Sequence, residues 1–157
     1  GKFAKSIEDW PSFPDSAEAL RSLQRRYKLV ILSNVDRVGF AASNRKLGVE
    51  FDAIYTAEDI GSYKPDLRNF KYMLRHLHDD FGFEKCDILH VAQSLHHDHA
   101  PARELEVANV WIDRQNLSKG DANWKEARWG ATALVDEVPA TDFVFYTMEE
   151  FARAGVG

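Results

Sequence analysis

The sequence contains a single cysteine, Cys86, and no long apolar segment among its 157 residues. One thiol excludes an internal disulfide and is typical of a protein from a reducing compartment. The apolar runs are far shorter than the roughly 20 residues needed to span a bilayer. The first residues also lack the apolar core of a secretory signal. We therefore expect a soluble, cytoplasmic protein with no membrane partner.

An excess of basic charge is missing as well. The chain carries 20 Lys and Arg against 25 Asp and Glu, which gives a net charge of −5 at pH 7. Proteins hold nucleic acids and anionic membranes through basic surfaces, so this balance argues against both as partners. The 45% hydrophobic and 29% charged residues are ordinary for a globular protein, and the length fits one domain.

Short apolar segments alternate with amphipathic ones along the chain. The predicted strands are 29–32, 51–55, 88–91, 109–112, 133–135 and 143–146. The predicted helices are 16–26, 37–47, 66–78, 99–107 and a short one after Thr147, with a loop over 115–130. Strands that are apolar without alternation are buried on both faces, as in a parallel sheet covered by helices. The pattern predicts an α/β three-layer sandwich.

Polar residues follow the predicted strands where open parallel sheets bind ligands, at the carboxyl ends. The residues at these positions are Ser33, Asn34, Lys64, Gln93, Ser94 and Asp98. Together they provide hydroxyl and amide groups, a cation and a carboxylate. Such a set can receive an anionic substrate and stabilise charge during a displacement reaction.

Each of these residues also has a plainer interpretation. Ser33 and Asn34 favour turns, Lys64 could be an ordinary solvated lysine, and Asp98 could only cap a helix. Four histidines lie between positions 90 and 99, but Cys86 is the only thiol and the adjacent pair at 96 and 97 would point apart in a helix. We therefore predict supporting or surface histidines and no metal site.

Three segments resemble, in order and spacing, motifs II, III and IV of the haloacid dehalogenase (HAD) superfamily. They are Ile31-Leu32-Ser33-Asn34, Tyr63-Lys64-Pro65-Asp66 and the stretch from Val91 to Asp98. Within the superfamily the chain is most similar to the type II L-2-haloacid dehalogenase branch, which shares the Trp111-Ile112-Asp113-Arg114 turn. The resemblance implies a Rossmann-like three-layer core and a hydrolase that acts on a small anionic substrate.

The resemblance also implies roles for the residues at the strand ends. Lys64 and Asp98 would be catalytic: Lys64 neutralises the nucleophilic carboxylate, and Asp98 orders the site and places the hydrolytic water. The substrate-binding residues would be Ser33, Asn34, Gln93 and Ser94. Gln93 stands where HAD phosphatases carry an acid, and an amide is a poor Mg²⁺ ligand. This favours chemistry without a cofactor.

Three functions remain open from the sequence. The preferred one is hydrolytic dehalogenation of small 2-haloacids through an aspartyl ester, although Phe70 stands where this branch often has a tyrosine. The second is a small-molecule phosphatase, which would need Mg²⁺. The third is an inactive HAD-like domain that binds a ligand or partner.

One expected segment is absent. Family members carry the nucleophile in an Asp-x-[Asp/Tyr]-Gly-Thr-like segment on the first, central strand, and this sequence has none. We therefore expect a truncated chain without motif I, that strand and most of the cap: residues 1–15 a remnant of the cap-to-core connection, and residues 16–157 an incomplete core. We expect no hydrolysis by this chain alone.

The absence has a structural consequence for the predicted sheet. Without the central strand, the strands ending near Ser33 and Val91 would each bury an unpaired edge. We therefore expect these two strands to close up, or another segment to fill the position. That segment could come from a second polypeptide, a swapped copy in a homo-oligomer or the missing N-terminal part.

Overall fold

The computed structural model describes residues 4–7, 14–92, 95–113 and 141–156. The strands are Ala4–Ile7 (β1), Lys28–Ser33 (β2), Ala53–Thr56 (β3), Ile88–Ala92 (β4), Ala108–Ile112 (β5) and Phe143–Phe145 (β6). The helices are Pro14–Gln24 (α1), Arg37–Leu47 (α2), Ala57–Ile60 (α3), Leu67–Phe81 (α4), Ala100–Glu104 (α5) and Met148–Val156 (α6). A 3₁₀ turn covers Lys85–Asp87, and a π-helical turn covers Leu95–His99.

The six described strands form one parallel sheet in the order β3-β2-β1-β4-β5-β6. Because all of them run the same way, their carboxyl ends lie along one edge of the sheet. β2 is buried from Leu29 to Ser33, as its unbroken apolar sequence predicts. The predicted α/β fold with a parallel sheet is therefore confirmed.

The sheet is covered on both faces, and alternate residues of β2 belong to different cores. Leu29 and Ile31 join a cluster with residues of α1, α2 and α6. Val30 and Leu32 join a second cluster with residues of α4 and α5. Since successive side chains of a strand point to opposite faces, the two clusters are the two interfaces of a three-layer α/β/α sandwich.

The centre of the sheet differs from the sequence-based expectation. The position between β2 and β4 is filled by the chain's own β1, whose residues pair with 28–31 on one side and 88–91 on the other. Neither closure of the two strands nor a second polypeptide is needed, which corrects the prediction that the chain lacks a central strand. The strand was missed because Ala4-Lys5-Ser6-Ile7 is short and half polar. The division of the chain into a remnant of the cap-to-core connection (1–15) and a core domain (16–157) remains a prediction.

Local capping signals explain why α2 was predicted accurately. α2 begins and ends as predicted, because the Asp36 side chain accepts a hydrogen bond from the Gly39 N–H and Gly48 ends the helix with φ 63°. The predicted helix 99–107 is instead a π-helical turn followed by α5. The predicted strand 133–135 and loop 115–130 lie outside the described residues. No helix in the described ranges is long and apolar enough to cross a membrane.

Candidate active site

A buried ion pair lies at the carboxyl edge of the sheet. Lys64, in the loop between α3 and α4, places its Nζ 2.7 Å from Oδ1 of Asp98 in the π-helical turn after β4. The same Nζ donates to the carbonyl oxygen of Leu32 near the end of β2, at 3.1 Å. Because β2 and β4 flank β1, these contacts link the two neighbours of the central strand.

The two charges of this pair are removed from solvent. Lys64 is 4% exposed and Asp98 is 0% exposed. Burial by itself would raise the pKa of Asp98, but the Lys64 ammonium and the hydrogen bond from His90 outweigh it and hold the pKa of that carboxyl well below its usual value. Asp98 is therefore an anion throughout the physiological range.

His90 is a third member of the cluster and was predicted from the sequence only as a supporting or surface histidine. Its Nε2 lies 2.8 Å from Asp98 Oδ1, and its ring packs edge-on against Phe70 with centroids 4.9 Å apart. Burial lowers the pKa of His90, so the ring is neutral and donates from Nε2. The available signal was a polar residue in the middle of the apolar run Ile88-Leu89-His90-Val91, since such residues are buried only when they have partners.

The two carboxylate oxygens of Asp98 differ in their hydrogen bonding. Oδ1 accepts from both Lys64 and His90, whereas Oδ2 is buried and has no hydrogen-bond partner among the described residues. A buried carboxylate oxygen without a donor is costly unless a ligand or water supplies one. Oδ2 is thus the atom of this cluster best suited to meet a bound molecule.

Asn34 holds the lysine loop in place. Its Oδ1 accepts from the backbone N–H of Lys64 at 2.7 Å, and its Nδ2 donates to the backbone carbonyl of Lys64 at 3.1 Å. This reciprocal pair joins the end of β2 to the loop. The side chain predicted to bind substrate therefore binds the backbone of the predicted catalytic lysine. The second N–H of its amide has no acceptor in the part of the chain that the structure describes.

Ser33 is the last residue of β2 and is 1% exposed. Its Oγ accepts from the backbone N–H of Val35 at 3.0 Å, which leaves its own hydroxyl hydrogen to donate. Ser33, Asn34, Lys64 and Asp98 therefore all belong to the carboxyl edge of the sheet. Gln93 and Ser94, the other two predicted site residues, lie outside the described residues.

A second hydrogen-bond chain fixes the turn that carries Asp98. His99 donates from Nε2 to the carbonyl of Ala92 at 2.8 Å, and its Nδ1 accepts from Asn109 Nδ2 at 3.1 Å. Asn109 in turn exchanges two hydrogen bonds with Asp142, each 3.0 Å long. Burial lowers the pKa of His99 to about 4, so the ring is neutral at physiological pH.

The described residues do not fit a magnesium ion. They contain no group of three or more His, Cys, Asp or Glu that could hold a metal. Asp98, the one buried carboxylate among the described residues of the site, already has an ammonium 2.7 Å from Oδ1. Mg²⁺ favours an octahedral shell of oxygen ligands, which a single shared carboxylate does not supply.

The comparisons with known proteins agree with this architecture. The model of the haloacid dehalogenase-like hydrolases matches residues 3–104. A search of curated protein sequences found no significant match. Among solved structures, the HAD phosphatase from Thermococcus onnurineus is 23% identical with a TM-score of 0.65. The match covers 90% of this chain and 57% of the phosphatase chain. The L-2-haloacid dehalogenase PA0810 is 22% identical with a TM-score of 0.68. The match covers 90% of this chain and 55% of the dehalogenase chain.

A third structure is similar over its whole length. An uncharacterized protein from Listeria monocytogenes serotype 4b is 16% identical with a TM-score of 0.69, and the match covers 97% of this chain and 96% of that one. By contrast, the chain spans only a little over half of the phosphatase and the dehalogenase. At these identities the structural likeness shows the fold alone. The family match over residues 3–104 shows that the chain belongs to the haloacid dehalogenase-like hydrolases.

Proposed function

We propose that the candidate active site holds a small 2-haloacid, and that the protein takes part in hydrolytic dehalogenation like the type II L-2-haloacid branch. The supporting observation is the buried Lys64 ammonium at the carboxyl edge. It donates to Asp98 and to the Leu32 carbonyl, which leaves one of its three N–H groups without a partner among the described residues. A small anion is the natural acceptor for that group.

The resemblance and the geometry together suggest a division of roles. A carboxylate attacks the halogen-bearing carbon, the carbon–halogen bond breaks with loss of halide, and an ester forms. Water then attacks the ester carbonyl, which releases the 2-hydroxy acid and restores the carboxylate. Lys64 stabilises the negative charge, Ser33 donates to the substrate carboxylate, and Oδ2 of Asp98 accepts from the hydrolytic water. Asn34 holds the backbone of Lys64 in position.

The nucleophile needs a separate test, because the family's Asp-x-[Asp/Tyr]-Gly-Thr-like segment is absent from the sequence. Family members carry this aspartate in the segment on the central strand. Here Glu8 and Asp9 directly follow β1 in the sequence, and both lie outside the described residues. Assays of Glu8→Gln and Asp9→Asn beside the parent chain therefore show whether either carboxylate is required for any turnover.

The phosphatase remains the alternative reaction class. It would require Mg²⁺, and the ammonium beside Asp98 opposes a divalent cation at the same carboxylate by charge repulsion. The proposal therefore favours a reaction that does not depend on added metal. An inactive binding domain is the third possibility, and it would hold an anion without turning it over.

The decisive experiment measures halide release from 2-chloropropionate with and without a chelator. It uses the parent chain and the Lys64→Ala variant, prepared in the same way. Chelator-insensitive halide release, lost in Lys64→Ala, supports dehalogenation. Chelator-sensitive release of phosphate from a phosphomonoester, without halide release, overturns it in favour of the phosphatase. Binding of 2-chloropropionate without turnover, with or without chelator, indicates the inactive domain.

A further inference from the structure

The unusual feature of the site is the buried histidine on β4. His90 is 0% exposed, and the strand that carries it pairs with β1 at Ser6 and with β5 at Asn109. Both neighbouring strands hold its backbone, and the Phe70 ring packs against its imidazole with centroids 4.9 Å apart. The ring therefore has little freedom to turn away from Asp98.

The donors around Asp98 are distributed unevenly between its two oxygens. Lys64 Nζ lies 2.7 Å and His90 Nε2 lies 2.8 Å from Oδ1, whereas Oδ2 has no partner among the described residues. A carboxylate oxygen accepts about two hydrogen bonds through its lone pairs, so Oδ1 is saturated. An ionised carboxylate cannot donate, so the hydrogen of this contact is carried by His90 Nε2.

We infer that His90 is a positioning residue: together with Lys64 it pins Oδ1 of Asp98, so that Oδ2 alone is presented to a bound ligand or water. Lys64 by itself could follow either oxygen if the carboxylate rotated. The second donor, fixed on a strand, removes that freedom. The further step, that Oδ2 holds the hydrolytic water, rests on the proposed function.

A positioning role for His90 differs from a purely structural one. A space-filling ring would stabilise the fold by packing on Phe70, and phenylalanine would replace it with little effect on Asp98. A donor instead lowers the pKa of the Asp98 carboxyl through its hydrogen bond, and only a residue that keeps an N–H can do this. His90→Phe and His90→Gln therefore separate the two roles.

The test is an NMR measurement without substrate, so its outcome does not depend on turnover. In the parent protein, long-range ¹H–¹⁵N spectra are expected to show His90 neutral, with the hydrogen on Nε2. In His90→Phe the ¹³Cγ signal of Asp98 is expected to titrate at a higher pH, by about one pH unit or more. In His90→Gln most of that change should be reversed, and the control His96→Gln should leave the Asp98 titration unchanged.

Two results would overturn the inference. One is an Asp98 titration that is the same in the parent protein and in His90→Phe. The other is a His90 ring with its hydrogen on Nδ1, which could not donate from Nε2; this is measured on the parent protein and stays decisive if the phenylalanine variant does not fold. Halide release that fails while these spectra agree would reject the proposed function and leave the positioning role of His90 in place.

Discussion

The buried charges at the carboxyl edge are costly to hold out of water. Moving an ammonium and a carboxylate out of water costs several kcal/mol per ion, and the attraction between them offsets this only when the geometry is good. Lys64 and Asp98 meet that condition, with a 2.7 Å contact and additional partners in Leu32 and His90. A buried ion pair with so large a desolvation cost indicates a role for the charges themselves.

A double-mutant cycle tests the coupling of this pair. Lys64→Met alone and Asp98→Asn alone should each lower the free energy of unfolding by about 3–5 kcal/mol, because each leaves a buried charge without its partner. The double variant should lose less than the sum by about 2 kcal/mol. Urea denaturation of all four proteins measures this. Additive losses would show that the two side chains do not interact.

His99 provides a pH-dependent prediction. Its pKa is lowered to about 4 by burial, whereas an unfolded chain binds a proton near its ordinary value of 6.5. The unfolded state therefore takes up more protons between these values, and the free energy of unfolding should fall by about 3 kcal/mol as the pH drops from 6.5 to 4. Burial lowers the pKa of His90 as well, which acts in the same direction.

The measurement for His99 is denaturant unfolding at a series of pH values. His99→Gln, which keeps a donor for the Ala92 carbonyl, should show a shallower decline than the parent protein. His78→Gln on the exposed side of α4 serves as the control and should keep the parent slope. The low pKa of Asp98 contributes only at still lower pH, because its stabilisation is lost as the pH falls through that pKa. Equal slopes in His99→Gln and the parent would contradict the assignment.

At the scale of the elements, the site depends on how one loop is held. The loop between α3 and α4 is fixed to the end of β2 through the two hydrogen bonds between the Asn34 side chain and the Lys64 backbone. The helix that follows is capped by Asp66, whose side chain accepts from the Arg68 N–H at 2.9 Å. Both ends of the short Lys64 segment are therefore anchored.

Removal of the Asn34 amide tests this anchoring. Asn34→Ala should lower the free energy of unfolding by about 1–3 kcal/mol, because it leaves the Lys64 N–H and carbonyl without their partners. It should also speed hydrogen exchange at the Lys64 amide, while amides in the middle of α4 keep their protection. Hydrogen exchange followed by NMR measures both. Unchanged protection at Lys64 would contradict the anchoring role of Asn34.

The elements also show which features were accessible from the sequence. β2 and α2 were predicted well because an unbroken apolar run, an Asp36 cap and a Gly48 terminator are local signals. β1 and α3 were missed because each has four residues, too few for a periodic pattern. The convergence of Ser33, Lys64 and Asp98 followed from the carboxyl-edge rule for parallel sheets. The partners of His90 depend on contacts across the turn after β4, which no local pattern reports.

At the scale of the whole molecule, β1 joins the two halves of the sheet. It is the central strand and pairs along its full length with both β2 and β4. Without it, each neighbour would present a row of unpaired backbone groups, and every unsatisfied group costs about 1–3 kcal/mol when buried. The stability of a small domain is only about 5–15 kcal/mol, so this loss is large enough to prevent folding.

Deletion of residues 1–7 tests that dependence. The deletion variant should lose its cooperative unfolding transition and its near-UV circular dichroism, whereas deletion of residues 1–3 should keep both. Thermal and urea melts followed by circular dichroism give the comparison. A cooperative transition in the variant that lacks 1–7 would mean that β2 and β4 can close up, as first expected from the sequence.

The most direct test of the central claim asks where a small halogenated anion binds. In ¹H–¹⁵N spectra of the parent protein, 2-chloropropionate should cause saturable shifts at the amides around Ser33, Lys64 and Asp98, and a chelator should not change them. Ser33→Ala should weaken the binding and Lys64→Met should abolish it, with the rest of each spectrum retained. Shifts that map elsewhere on the fold, or that persist in a folded Lys64→Met variant, would contradict the account.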